Sequence, residues 1–196
     1  MDPVVPLVLS HGWAAGVNAY LTVLLVCLTG RIGLADVPAT FERTDVLVAA
    51  AVLTAVEFVV DKVPYLDSLW DAGHTFIQPA IAAALGVEIA GEAGAGDTAL
   101  AGAGSGVAAL ASHAVKAGLR LAVNASPEPF TNVGVSLGED GAVSLVSYLA
   151  VEAPWVAFGL AMGLLVIGAT LVVLLARQIR RGVRRLEARG AGARGP

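Results

Sequence analysis

The chain has 196 residues, 57% of them hydrophobic and only 14% charged, with a mean hydropathy of +0.77 and a formal net charge of -4. Soluble domains carry about 25% charged residues, so this composition excludes an ordinary soluble fold. The charge is also divided: residues 1–176 hold 5 basic and 15 acidic side chains and residues 177–196 hold 7 basic and 1 acidic, which excludes nucleic acid as a natural partner and makes the basic tail a topology signal and a contact for anionic lipid.

Residues 3–30 contain no formally charged side chain, and a spanning helix is predicted there from about Ser10 to Thr29. Met1-Asp2-Pro3 lacks a basic n-region, so this segment is expected to stay as the first membrane segment rather than be cleaved. Cys27 is the single cysteine, which rules out an intrachain disulfide, and it is read as packing. Arg31, Asp36, Pro38, Glu42, Arg43 and Asp45 mark a polar connection before a second helix from Val46 to Val60, stopped at Asp61-Lys62-Val63-Pro64. From Tyr65 to Gln78 the texture changes: Asp67, Asp71, His74 and Gln78 recur at helical spacing on one face, with Leu66, Leu69, Trp70, Phe76 and Ile77 opposite. Such an element is expected to lie in the interface or re-enter the bilayer. A third crossing follows over 80–90 and shares residues with it.

Gly91 to Gly106, with Glu92 and Asp97, reads as a flexible external connection. A fourth helix is predicted from Gly106 to Asn124, a break at Ser126-Pro127-Glu128-Pro129-Phe130, and a fifth helix from Asn132 to Val151 despite Glu139-Asp140-Gly141. Pro154 opens the sixth. Its run from Trp155 to Ala176 has no charged side chain, and at about 1.5 Å per residue it spans roughly 33 Å, close to the ~30 Å hydrocarbon core. Arg177, Arg180, Arg181, Arg184, Arg185 and Arg189 follow at once and assign that end to the cytoplasm. The expectation is an all-α integral membrane protein of about six transmembrane or re-entrant helices in the cell membrane. One membrane domain covers 1–176, the arginine-rich tail covers 177–196, and both termini are cytoplasmic. Gly159 and Gly163, spaced i, i+4, permit close helix contact and hence a homo-oligomer.

Ser10-His11-Gly12-Trp13-Ala14-Ala15-Gly16-Val17-Asn18 aligns without a gap on Ser112-His113-Ala114-Val115-Lys116-Ala117-Gly118-Leu119-Arg120. Read as a duplication, it gives halves 1–90 and 99–176 around the connection 91–106. With three crossings between the copies, the halves would point oppositely through the membrane, as in many secondary transporters.

His113, Lys116, Arg120 and Asn124 share one face of the fourth helix. Two cations there cost about 2.5 to 3.5 kcal/mol each unless they meet carboxylates or water. Glu57 with Asp61, Asp67 with Asp71, and Glu139-Asp140 are the candidate partners. This points either to a polar site on a solute pathway or to an ion-pair network that orients helices. Asp67, Asp71 and His74 also present two carboxylates and an imidazole on one side, but no cysteine pair or HExxH pattern accompanies them, so neither a metal nor a cofactor is expected. Nucleophile elbow, P-loop and GxGxxG are absent, which removes the soluble enzyme classes and leaves a lipid enzyme open.

Gly12 to Tyr20, Glu57 to Ser68, Trp70 to Pro79, and His113 through Arg120 and Asn124 to Asn132 together resemble the bacterial membrane family known as domain of unknown function 4126, over about Gly12 to Ala176. The resemblance implies a small multi-pass protein whose polar blocks are its working parts. The residues selected as a pathway are Glu57, Asp61, Lys62, Asp67, Asp71, His74, His113, Lys116, Arg120, Asn124, Glu128, Glu139 and Asp140. Ser10, His11, Gly16, Asn18, Ser112 and Gly118 are singled out by the repeat. The leading expectation is a transporter or channel-like protein for a small solute, ion or lipid head group, with an anionic group held by Lys116 and Arg120. The rival is a non-transporting membrane scaffold or assembly factor.

Overall fold

The computed structural model describes residues 4–91, 94–125 and 129–192. Among them are eight helices and no strand: α1 (Val4–Arg31), α2 (Ala39–Glu42), α3 (Thr44–Val60), α4 (Leu66–His74), α5 (Ile77–Ala90), α6 (Ala95–Asn124), α7 (Pro129–Glu152) and α8 (Pro154–Gly192). Three stretches, Val4–Arg31, Ala95–Asn124 and Pro154–Arg181, are long and apolar enough to cross a membrane. The side chains are arranged inside out relative to a soluble protein. Val52, Leu69, Phe76, Val107, Leu121, Val166 and Ile167 face outward, while Glu57, Asp67, Asp71, Gln78, His113, Lys116 and Arg120 are buried. An outer surface this apolar suits lipid rather than water.

The first helix departs from the sequence expectation. Asn18 has φ -152° and ψ 97°, which is extended backbone inside α1. On either side of it the chain folds back on itself. Leu7 and His11 line one cavity of about 260 Å³ together with Val26 and Thr29, whereas on a continuous helix His11 and Thr29 would stand about 27 Å apart. Residues 4–17 and 19–31 are therefore the two arms of a helical hairpin with Asn18 at its tip. Asn18 stabilises the turn itself: its Oδ1 accepts from the backbone N–H of Leu21 at 2.9 Å and its carbonyl accepts from Thr22 Oγ1 at 2.8 Å, the bonding of an N-cap at the start of the second arm.

Both ends of that hairpin lie at one end of the bundle, where Pro38, Ile89, Val151 and Pro154 also meet. We call this the near end. The helix α3 leaves it, with Arg31 Nη2 donating to Thr44 Oγ1 at 2.9 Å, and ends at Val60, four residues before Pro64. Tyr65, at φ 69°, is the only described non-glycine residue with positive φ and turns the chain into α4. Together α4 and α5 make one return passage, broken at Thr75-Phe76, alongside α6. Gly106 lies against Pro79, Gly102 against Ala83 and Val87, and Gly86 against Ala101 and Ser105, so α5 and α6 run antiparallel. The far end carries Asn124 and Ser68, which are hydrogen-bonded at 2.8 Å, and Ala122 and Ala125 beside Gln178. The helix α7 returns to the near end, and α8 rises beside α6, with Gly168 against Val115 and Gly118 against Val172.

The six transmembrane or re-entrant units expected from sequence take the form of five passages through the bundle, made by α3, α4 with α5, α6, α7 and α8, and one helical hairpin, so Val4 and the late turns of α8 lie at opposite ends of the bundle. Two expectations are corrected. The glycine-rich stretch 95–106 is helix rather than connection, because its small residues let α6 approach α5 closely. The aligned copies are not inverted: Gly12 lies against Ser105 and Gly16 against Ala109 and Ser112, so the first arm of α1 and α6 run parallel. An inverted pair would run antiparallel.

Candidate functional site

The hairpin tip, the end of α3, the break between α4 and α5, and the middles of α6 and α7 converge on one polar centre. The helical spacing of α6 puts His113, Lys116 and Arg120 on its inner face, all buried. From α3, one turn apart, come Glu57 and Asp61. The inner face of α4 supplies Asp67, Asp71 and His74, while its Leu66 and Leu69 face outward.

Lys116 Nζ lies 3.1 Å from Glu57 Oε1, 3.1 Å from Asp61 Oδ2 and 3.5 Å from Asp71 Oδ1. Arg120 binds five oxygens from four residues and three helices or their ends. Its Nη1 donates to the Asp61 carbonyl at 2.6 Å and to Asn132 Oδ1 at 3.1 Å and pairs with Asp67 Oδ2 at 3.5 Å; its Nη2 donates to Asp61 Oδ2 at 3.3 Å and to Glu139. Both cations are fully enclosed, at 2% and 0% exposure. Interactions of this kind strengthen in low dielectric, and an uncompensated charge there is costly.

Around the ion pairs runs a neutral network. Tyr20 OH and His74 Nε2 are 2.9 Å apart, and His74 stacks on Trp70 with ring centroids 4.2 Å apart. Gln78 bridges Glu57 and His113. Asn18 donates from the hairpin tip to Asp140 Oδ1 at 3.3 Å, which places Asp140 at the N-terminus of the second arm, where the helix dipole favours a negative group. Lys62 contacts Ser136 at 3.3 Å and Asp140 at 3.9 Å and lies over the Phe58 ring.

The centre is not balanced. It gathers the carboxylates of Glu57, Asp61, Asp67, Asp71, Glu139 and Asp140 against the cations of Lys62, Lys116 and Arg120, a surplus of three negative charges if all are ionised. Glu57 Oε2, Asp61 Oδ1, Glu139 Oε1 and both carboxylate oxygens of Asp71 are buried without a hydrogen-bond partner among the described residues. Those oxygens hold lone pairs free to accept a proton or another donor. A cavity of about 250 Å³ beside Trp13 and Leu165 reaches Lys116 and Glu139 from the α7–α8 side.

Of the residues singled out from sequence, Asn124 joins the centre by donating to Asp67 Oδ1 at 2.8 Å. Glu128 lies outside the described residues. Asp67, Asp71 and His74 share a face but turn to different partners, Arg120, Lys116 and Tyr20. Ser112 Oγ donates to the Trp13 carbonyl at 2.8 Å and so ties α6 to the hairpin. Among the described residues Ser10 bonds only to Pro6 O, one turn back, and His11 only to Leu7 O, while His11 also lines the near-end cavities. Gly16 and Gly118 are packing positions. Tyr20 and Asn132 close two of the blocks that carry the family resemblance but were not selected as site residues, and Ser136 was not singled out at all. Each lies in a stretch whose helical face cannot be assigned without knowing the neighbour.

A family model described as Domain of unknown function (DUF4126) matches residues 5–174. No curated protein and no solved structure matches the chain.

Proposed function

The chain belongs to the Domain of unknown function (DUF4126) family, and from that premise we propose that it is a small multi-pass transporter or channel-like protein whose central site takes up protons or small cations. The observation that carries this reading is the enclosed surplus of carboxylates, with Asp71 lacking any hydrogen bond to either oxygen. Discontinuous helices at mid-depth support it as well, since backbone breaks within a membrane are tolerated where they line a site. Here Asn18 at the tip donates to Asp140, and Gln78, two residues after the break at Thr75-Phe76, donates to Glu57. The acidic surplus argues against the anionic solute first expected. In a bilayer the arginine run after Ala176 assigns the far end to the cytoplasm, so the hairpin opens toward the opposite compartment and the N-terminus lies there too.

Proteoliposomes loaded with a pH-sensitive dye test the reading. Under an imposed cation or proton gradient the wild-type protein should collapse the gradient faster than empty vesicles, and Asp71→Asn should abolish the difference while leaving the protein folded. A second reading, a non-transporting scaffold, draws on the complete enclosure of Lys116 and Arg120. Folded wild-type protein that behaves like empty vesicles under every gradient selects the scaffold.

A further inference from the structure

The hydrogen bonds around His113 do not close with an ordinary proton count. Its Nδ1 lies 2.7 Å from Gln78 Oε1 and its Nε2 lies 3.0 Å from the backbone oxygen of Asp71. Both neighbours are acceptors, whereas a neutral imidazole offers one N–H and one lone pair. Only the imidazolium donates to both. In the same arrangement Gln78 Nε2 donates at 3.2 Å to Glu57 Oε1, which also accepts from Lys116. The extra proton is then on His113, and Glu57 is ionised.

Turning the Gln78 amide over exchanges its oxygen and nitrogen without changing its shape. The amide nitrogen then donates to the lone pair on Nδ1 of a neutral His113, whose Nε2–H still donates to Asp71. Gln78 Oε1 now faces Glu57 Oε1, and one of these two oxygens must carry a proton, which only the carboxyl can hold. With no proton in the triad, two lone pairs face each other in an enclosed site, in either orientation of the amide. With both His113 and Glu57 protonated, the second proton falls on Glu57 Oε2, which has no partner among the described residues.

We propose that Glu57, Gln78 and His113 form a two-position proton site, in which one proton rests on either His113 Nδ1 or Glu57 Oε1 and the orientation of the Gln78 amide records which. Between the two states the N–H bond at Nδ1 is broken, an O–H bond at Glu57 Oε1 is formed and the amide turns over, so protons and charge balance. The consequence is felt at Lys116. With Glu57 neutral, the ammonium leans on Asp61 and Asp71 alone. Besides Lys116, Asp61 and Asp71, the charged and titratable groups that the packed elements bring to the centre are Tyr20 from α1, Lys62 after α3, Asp67 and His74 from α4, Arg120 from α6, and Glu139 and Asp140 from α7; the membrane-length part of α8, 155–176, brings none.

This inference deepens the proposed function but is tested at equilibrium, without flux. The protein, labelled with ¹⁵N-histidine and ¹³C-carboxyl glutamate, is placed in lipid nanodiscs across the pH range in which it stays folded. The ¹⁵N shifts of His113 are assigned by their loss in His113→Gln, and the infrared carboxylic-acid band of Glu57 by its loss in Glu57→Gln. The expected result is complementarity: the imidazolium fraction of His113 and the acid fraction of Glu57 add to one proton and change together. In Gln78→Leu the two should titrate independently. Neutral His113 beside ionised Glu57, or both protonated together, overturns the proposal on the wild-type signals alone. Complementarity without flux in vesicles sinks the transport reading and leaves the proton site standing. Flux without complementarity does the reverse.

Discussion

Arg120→Gln is the sharpest perturbation of the centre. The guanidinium donates to the Asp61 carbonyl, Asn132, the Asp61 carboxylate and Glu139, all at 0% exposure of its own side chain. Glutamine is shorter, uncharged and able to replace at most two of those bonds, so Glu139 loses its cation and the acidic surplus rises by one. Removing one partner of a buried pair costs about 3 to 5 kcal/mol, which at 1.4 kcal/mol per factor of ten lowers the folded-to-unfolded ratio by roughly two to three and a half orders of magnitude. Equilibrium unfolding in mixed micelles reads this directly. Glu139→Gln in the same chain should restore much of the loss, giving a coupling of about 0.5 to 3 kcal/mol in a double-mutant cycle. If Arg120→Gln costs under about 1 kcal/mol and the two changes simply add, the charges are screened by water and the enclosed, unbalanced centre is wrong.

Other positions separate packing from chemistry. A Cβ at Gly16 would overlap the carbonyl oxygen of Ala109 and Ser112 Oγ, whereas nothing lies within 4 Å of one at Gly159; Gly16→Val should therefore cost about 1 to 3 kcal/mol or more in detergent stability while Gly159→Ala stays within about 0.5 kcal/mol. Asn18→Ala removes the cap on Leu21 and the bond to Asp140 and should lower stability by about 1 kcal/mol in thermal unfolding. Asn18→Asp keeps the cap but sets a second carboxylate against Asp140, so it should fare worse than alanine. Compartment reporters fused at the two termini should be active on opposite sides of the membrane; activity in one compartment for both contradicts the five-passage topology.

What was legible in the sequence followed from composition and local spacing. The uncharged run before Arg177 identifies the membrane-length part of α8, and the i, i+4 and i, i+7 spacings in α4 and α6 place Asp67, Asp71, Lys116 and Arg120 on faces that do meet. Hydropathy could not see the hairpin, because both arms of α1 are apolar and one residue, Asn18, reverses the chain. The glycines of 95–106 look like a loop in water but serve helix packing against α5, where small size brings the backbones together. The Ser-His alignment was real as letters, yet its two members pack side by side in the same direction. The Gln78–His113 pair joins residues 35 apart in sequence and needed the fold before its proton arithmetic could be written.

The assembly of the centre rests on α1 being a hairpin with Asn18 at its tip. Spin labels at positions 7 and 29, in a Cys27→Ser background, measure that directly by pulsed electron resonance. Leu7 and Thr29 line one cavity of about 260 Å³, so the account predicts labels in close proximity. A continuous spanning helix would set the two backbone positions about 33 Å apart. A distribution centred near that longer distance would remove Asn18 from the centre, and with it the site proposed there.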